Sequence, residues 1–248
     1  MHISIVYILV FLSSYIVGSI PFSWIITKIK TGQDLRKVGS GNVGGRNVYR
    51  ATGSAKWAWL AGILDVSRTI AATAIPYFVS YQLYFSLSSE IELKVVAGPF
   101  FLDTQWSFCL AIAGLGAILG HNWPLYLLSH GGRGITVVIG TMLFANPILL
   151  GFWIILWPIV ITIVGYSSIT YIIVTALVGV IGLFLQPPLL MLWAECNLSI
   201  GLLLIGISLI MLSRQRDNIR KIRSGEAKKM KIWKVLGGKK KLSDEILK

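Results

Sequence analysis

Four short polar segments hold most of the side chains in this chain that could do chemistry: residues 38–50, 65–69, 120–134 and 214–226. The first reads VGSGNVGGRNVYR, which sets Ser40 between Gly39 and Gly41 with Asn42 and Asn47 close behind. Glycines let backbone N–H groups converge on an anion, and a hydroxyl beside them adds another donor. If the chain is helical from Gly45, Arg46 and Arg50 lie four apart on one face, where like charges repel by about a few tenths of a kcal/mol. A bound dianion would reverse that cost. A Gly-rich turn carrying solvated arginines is the alternative.

The other segments add cations and amides. Asp65 and Arg68, three residues apart, lie inside an apolar run, Asp65 about 13 Å beyond Lys56 if the rise is helical. A lone charge at that depth is costly, so the two should pair with each other or face a polar cavity. The run GHNWPLYLLSHGGRG supplies His121, His130 and Arg133, the arginine set among Gly131, Gly132 and Gly134. It resembles a phosphate cradle without the G-K-[ST] of a Walker loop. In SRQRDNIRKIRSGE, helical spacing puts Arg214, Asn218 and Lys221 on nearby faces, next to Gln215. No G-x-S-x-G elbow and no H-E-x-x-H is present. The inventory suits binding phosphates and stabilising developing charge, and it lacks an obvious nucleophile–base pair. It points to group transfer on a phosphorylated, membrane-associated substrate.

What must position these segments is a bundle of apolar helices. Of 248 residues 55% are hydrophobic and 13% charged, against roughly 25% charged in a soluble domain, and the mean hydropathy is +0.73. From Ile135 to Leu212 the only charged residue is Glu195, in a stretch long enough for several crossings. An ordinary soluble enzyme, a disordered chain and a disulfide scaffold are excluded. Cys109 and Cys196 stand alone and read as buried apolar residues, with no metal site. The expected fold is all-α and polytopic, with spans near 3–27, 57–84 and 106–126. Four more follow between 135 and 212, broken at Asn146-Pro147, Gly165–Ser168 and Gln186–Pro188 and with the first of them short. Seven helices result, or five if that stretch holds two spans.

The net charge of +13 is concentrated in residues 28–56 and 214–248, with Arg133 alone in its loop. Lys and Arg near span ends mark the cytoplasmic side. All four polar segments, and the C-terminus, are thus expected inside, with the N-terminus outside. A bilayer explains this distribution without nucleic acid, and the tail beyond Lys228 suits anionic headgroups. No internal repeat suggests a transporter.

In order and spacing, GSIPF at 18–22, RKVGSGNVG at 36–44, NVYR at 47–50, LD at 64–65, GHNWP at 120–124, GGRG at 131–134 and RQRDNI at 214–219 resemble the bacterial membrane-integral acyl-phosphate:glycerol-3-phosphate acyltransferase family. The resemblance runs from Gly18 to about Glu226. It implies transfer of a fatty acyl group from acyl phosphate to the 1-hydroxyl of glycerol 3-phosphate, giving lysophosphatidic acid and phosphate in phospholipid biosynthesis. By motif, Ser40, Arg50, Arg133 and Asn218 would be catalytic. Gly39, Gly41, Asn42, Arg46, Asn47, Arg68, His121, Gly131, Gly132, Gly134, Arg214 and Gln215 would bind substrate. It further implies a plasma-membrane location, no cofactor, and the soluble enzyme that makes acyl phosphate as a candidate partner. Residues 1–213 would form the transmembrane acyltransferase-like domain and 214–248 a basic cytoplasmic tail, of which 214–226 belongs to the site.

Several positions depart from the family's pattern. Arg133 stands at its essential lysine, Arg46 at a usual threonine, Arg68 and Thr69 at a lysine and a glycine, Ser129-His130 at a Phe-Lys pair and Gln215 at a histidine. Arginine still clamps phosphate but does not exchange protons as lysine can, and glutamine keeps hydrogen bonding without proton transfer. A non-catalytic or repurposed lipid-phosphate binding homologue is therefore the rival expectation.

Overall fold

The computed structural model describes residues 3–87, 104–128, 130–184, 197–227 and 229–230. The expected outer loop with Glu90, Glu92, Lys94 and Asp103, the break at 186–188 and the basic segment after 230 lie outside them. Within the described residues the structure is all-helical. Apolar side chains cover its outside: Ile8 and Leu9 on the first helix, Ile154, Ile155 and Ile163 on a later one, are all at least half exposed. A surface of this kind is stable only against lipid. The protein is a multi-pass membrane protein.

The first helix, α1 (Ile3–Gly18), ends before Pro21, and α2 (Phe22–Thr31) continues in its direction. Proline has no N–H to donate, so the hydrogen-bond ladder lapses there; the Ile20 carbonyl, between the two helices, accepts from the Phe22 N–H at 3.2 Å and keeps a lone pair for a second donor. After a single 3-10 turn at Leu35–Lys37 come α3 (Gly45–Thr52), α4 (Ala55–Leu87), α5 (Thr104–Asn122), α6 (Ile135–Ala145), α7 (Pro147–Val164), α8 (Ser167–Phe184), α9 (Asn197–Ser213) and α10 (Arg216–Arg223). Asn146 separates α6 from α7 and accepts from the N–H groups of Ile148 and Leu149, a side-chain cap ahead of a proline in the first turn.

Among the described residues five stretches are long and apolar enough to cross a membrane: 3–31, 55–80, 108–127, 147–164 and 167–184. Helices α9 and α10 together make a sixth, bent by 62° at Arg214–Gln215. Helix α6 has 11 residues and reaches about 16 Å, well short of the ~30 Å hydrocarbon core. It lies against α4, as a short apolar helix within the bundle.

Helix α1 packs along α5 and α4, α8 packs between α7 and α9, and contact between α5 and α9 joins the two groups. The α1–α5 seam is made by small residues. A Cβ at Gly116 would stand 2.7 Å from the Phe11 carbonyl oxygen and one at Gly120 2.3 Å from that of Tyr15. This G-x-x-x-G spacing brings two backbones into contact, as van der Waals packing in lipid requires. The seam ends at Gly18 and Gly120, and beyond it the loop after α2 meets the loop after α5 through the Arg36 hydrogen bond to the Leu127 carbonyl.

Candidate functional site

Residues 32–44 are anchored before they offer anything to a ligand. Asp34 accepts from the Trp24 indole N–H at 2.9 Å, from the Arg36 backbone N–H at 3.0 Å and from the Arg36 guanidinium at 2.6 Å. Arg36 also donates to the Leu127 carbonyl at 3.2 Å, tying this loop to the next. Asn47, buried in α3, donates to the carbonyls of Leu35 and Val38 at 3.0 and 2.8 Å. Gly41 has φ +67°, a turn that an L side chain adopts at a cost. These contacts project Ser40 and Asn42 away from the bundle.

They open onto a cavity of about 480 Å³. Ser40, Arg46 and Arg50 border it on one side, Arg133 at the start of α6, and Asn218 and Lys221 from α10. Side by side with it is a second cavity of about 550 Å³, bordered by Arg36, Trp123, His130, Arg214, Arg216 and Asp217. Ser40, Asn42 and Arg133 line both. Arginine 133 thus stands between two polar compartments.

Three of the cations here, Arg46, Arg50 and Arg133, have no acidic partner among the described residues. Among the described residues the salt bridges are Arg36–Asp34 and Arg68–Asp65, and neither involves Arg46, Arg50 or Arg133. Burial holds the Arg133 guanidinium below its usual range, and the neighbouring charges of Arg214, Arg46 and Arg50 lower it further, partly offset by Asp217. Arg50 is lowered by burial and then by Arg46, and Arg214 by burial against the pull of Asp217. Arginine remains charged throughout, so these grouped cations favour an anion between them. The arrangement is an anion receptor with hydroxyl and amide donors at its edge.

The four residues expected to be catalytic, Ser40, Arg50, Arg133 and Asn218, surround the first cavity together with Asn42, Arg46, Asn47, His121, Gly134 and Gln215. Gly41, Gly131 and Arg214 line the second instead. The remaining expected residues lie elsewhere. Arg68 lines neither large cavity: it is buried in α4, donating to the Ile20 carbonyl at 2.6 Å and meeting His121 Nδ1 at 2.8 Å. Gly39 and Gly132 also stay out of both, packed on Asn47 and Arg50 and on His121 respectively. Arg214 does not share a helix with Asn218 and Lys221, because the chain bends at Arg214–Gln215. The Asn218 amide nitrogen donates to the Gln215 side-chain oxygen, which leaves its own carbonyl oxygen for a ligand.

Sequence reasoning missed the far wall. Tyr166, Ser167, Ser168 and Tyr171, at the turn from α7 to α8, border the first cavity, and Met230 lies there too. The Met230 N–H donates to the Gly165 carbonyl at 2.7 Å. In the sequence Gly165–Ser168 marks only a break between spans. Its polar residues on the same side as Gly134 and Ser213 were the available signal.

Comparison with known proteins gives a consistent result. The family profile described as glycerol-3-phosphate acyltransferase matches residues 8–225. A glycerol-3-phosphate acyltransferase of Sinorhizobium medicae is 32% identical over 211 residues, covering 85% of this chain and 86% of the relative. One from Pelagibacter ubique is 29% identical over 228 residues, covering 92% and 99%. Among solved structures, an integral membrane glycerol 3-phosphate acyltransferase in its glycerol 3-phosphate form superposes with a TM-score of 0.67 at 25% identity, over 94% of this chain and 99% of the other.

Proposed function

The chain belongs to the glycerol-3-phosphate acyltransferase family, and from that premise we propose that it transfers a fatty acyl group from acyl phosphate to the 1-hydroxyl of glycerol 3-phosphate. The products are lysophosphatidic acid, a precursor for phospholipid synthesis, and inorganic phosphate. The observation that carries this reading is the set of Arg46, Arg50 and Arg133, free of ion pairs, around a cavity that also holds Ser40 and Asn218. Two compartments sharing Arg133 suit two substrates that each bring a phosphate.

In this mechanism Arg133, Arg46 and Arg50 hold phosphoryl oxygens, with Ser40 and the backbone near Gly41 adding donors. Holding both substrates converts a two-body encounter into an intramolecular step. Asn218 receives the hydrogen bond of the acceptor hydroxyl. That oxygen attacks the acyl carbonyl, the C–O bond to phosphate breaks, and phosphate leaves with the electron pair, its charge met by the same guanidinium groups. The hydroxyl proton passes to a phosphate oxygen, whose second pKa near ~6 leaves it able to accept at neutral pH.

The concentration of Lys and Arg in residues 28–56 and 214–226 supports a cytoplasmic site in the plasma membrane. Purified protein supplied with palmitoyl phosphate and labelled glycerol 3-phosphate should release lysophosphatidic acid and phosphate one for one, and palmitoyl-CoA should not replace the donor. Product from the thioester alone would overturn the donor assignment. Because Arg133 and Gln215 depart from the family's pattern, tight glycerol 3-phosphate binding without turnover would favour a binding protein instead.

A further inference from the structure

Beneath the cavity lies a buried polar chain that the proposed reaction does not use. Ser23 Oγ on α2 donates to Asp65 Oδ2 at 2.7 Å, and Asp65 Oδ1 lies 3.7 Å from Arg68 Nη1 on the same helix. That nitrogen donates to the Ile20 carbonyl at 2.6 Å, an oxygen at the break between α1 and α2 that also accepts from the Phe22 N–H. The other terminal nitrogen, Nη2, meets Nδ1 of His121, in the last turn of α5, at 2.8 Å. Arg68 and His121 are both buried.

A guanidinium has donors and no acceptor. A hydrogen bond from Arg68 Nη2 therefore requires Nδ1 of His121 to be the unprotonated nitrogen, and the ring proton must sit on Nε2. The Nε2 edge in turn supports the loop that carries Arg133. A Cβ at Gly132 would fall 2.0 Å from His121 Nε2, and one at Gly131 2.1 Å from the His121 carbonyl oxygen. The Gly132 N–H donates to that carbonyl at 2.9 Å. The glycine pair is thus fitted onto the histidine, and the next residue is the cation shared by both compartments.

We propose that Arg68 is a positioning residue that fixes His121 as a neutral imidazole protonated on Nε2, making it a hydrogen-bond donor to a phosphoryl oxygen at the inner end of the cavity. In this state His121 is not the base, in keeping with proton transfer to a substrate phosphate. Asp65 and Ser23 hold Arg68, and Arg68 holds His121. Within the acyltransferase reading, on which the donor role rests, the chain couples the membrane-buried pair to the GGRG loop.

The tautomer can be read without any substitution, from long-range proton–nitrogen correlations of ring-labelled histidine in the full chain in nanodiscs. The H121N protein, which lacks that signal, assigns it against His2 and His130. An Nε2–H tautomer is expected; an Nδ1–H tautomer or an imidazolium would overturn the proposal whatever the enzyme does. The D65N/R68M protein removes the pair without leaving a lone buried charge. It should show mixed tautomers and lose about tenfold to a hundredfold in kcat/KM, the scale of one hydrogen bond to a charged group. Arg68→Lys, which keeps a cationic donor, should restore the single tautomer and most of the rate. An H121F protein with full activity, beside a correct tautomer in the parent, would remove the donor role. Absence of acyl transfer in the parent protein would count against the proposed function and leave the tautomer result standing.

Discussion

Two arginines about one helix apart in this bundle live under opposite rules. Arg68 is buried and its two terminal nitrogens are met by Asp65, the Ile20 carbonyl and His121, leaving only Nε without a partner among the described residues. Arg133 is also largely enclosed, yet among the described residues it has no acceptor, and its strongest charged neighbour is another cation, Arg214. A buried charge that is paired belongs to the structure, whereas one left with its own kind implies a partner from outside. The two differ, then, in what their removal should cost. Arg68 should matter first to folding and Arg133 only to function.

The largest effect is expected at the paired site. Arg68→Met leaves Asp65 as an uncompensated buried carboxylate and should lower stability by about 3–5 kcal/mol, read as thermal unfolding in detergent. Adding Asp65→Asn should recover much of that loss. If the single and double variants unfold at the same temperature, the pair is not what stabilises this region.

Next comes the unpaired site. Arg133→Gln should reduce kcat/KM by about 10²–10³-fold, the loss typical of a donor aimed at transition-state charge, while the unfolding temperature stays level or rises as repulsion with Arg214, Arg46 and Arg50 is relieved. A variant that is both active and less stable would reverse the comparison. The same contrast sharpens with ligand present. Glycerol 3-phosphate at about a hundred times its Kd should stabilise the parent protein by about 2.7 kcal/mol. Arg133→Gln, at that same concentration, should show a much smaller gain.

Much of this contrast was legible before the fold was known. The depth of Asp65 and the three-residue spacing were enough to expect a pair with Arg68, because an apolar helix offers no other relief. Arg46 and Arg50 were expected on one helical face, and α3 puts them there. What escaped was whatever depends on meeting a distant part of the chain. Nothing near Arg68 says that it will face His121, 53 residues on, because that contact follows from how α4 and α5 pack. Nor does GYSS at 165–168 announce a cavity wall, since its location depends on α6 and α7 together leaving and returning to the same end. The break at Arg214–Gln215 was hidden for a local reason: SRQRDNIR has no glycine or proline to mark a bend.

A third arginine gives the smallest test, and it titrates. Arg36 sits at the mouth of the second cavity but is paired like Arg68, with Asp34. The Arg36 guanidinium holds the Asp34 carboxyl far below the usual carboxylate range, helped by the Arg36 backbone N–H and the Trp24 indole, against a smaller opposing push from burial. A carboxylate whose folded pKa lies below its unfolded value of ~3.9 contributes stability that is complete above that value and is lost as pH falls towards the folded one. The Asp34→Asn protein should therefore unfold at a lower temperature than its parent near neutral pH, by about 1–2 kcal/mol for a partly exposed charged hydrogen-bond set. As the pH falls below about 4 the gap should narrow progressively, closing only near the much lower folded pKa. Because this pair lies outside the apolar spans and anchors the loop that carries Ser40, the variant should also raise KM more than it lowers kcat. A pH-independent gap between the two proteins would mean that Asp34 acts through shape alone, and that Arg36 belongs with Arg133 among the cations waiting for a ligand.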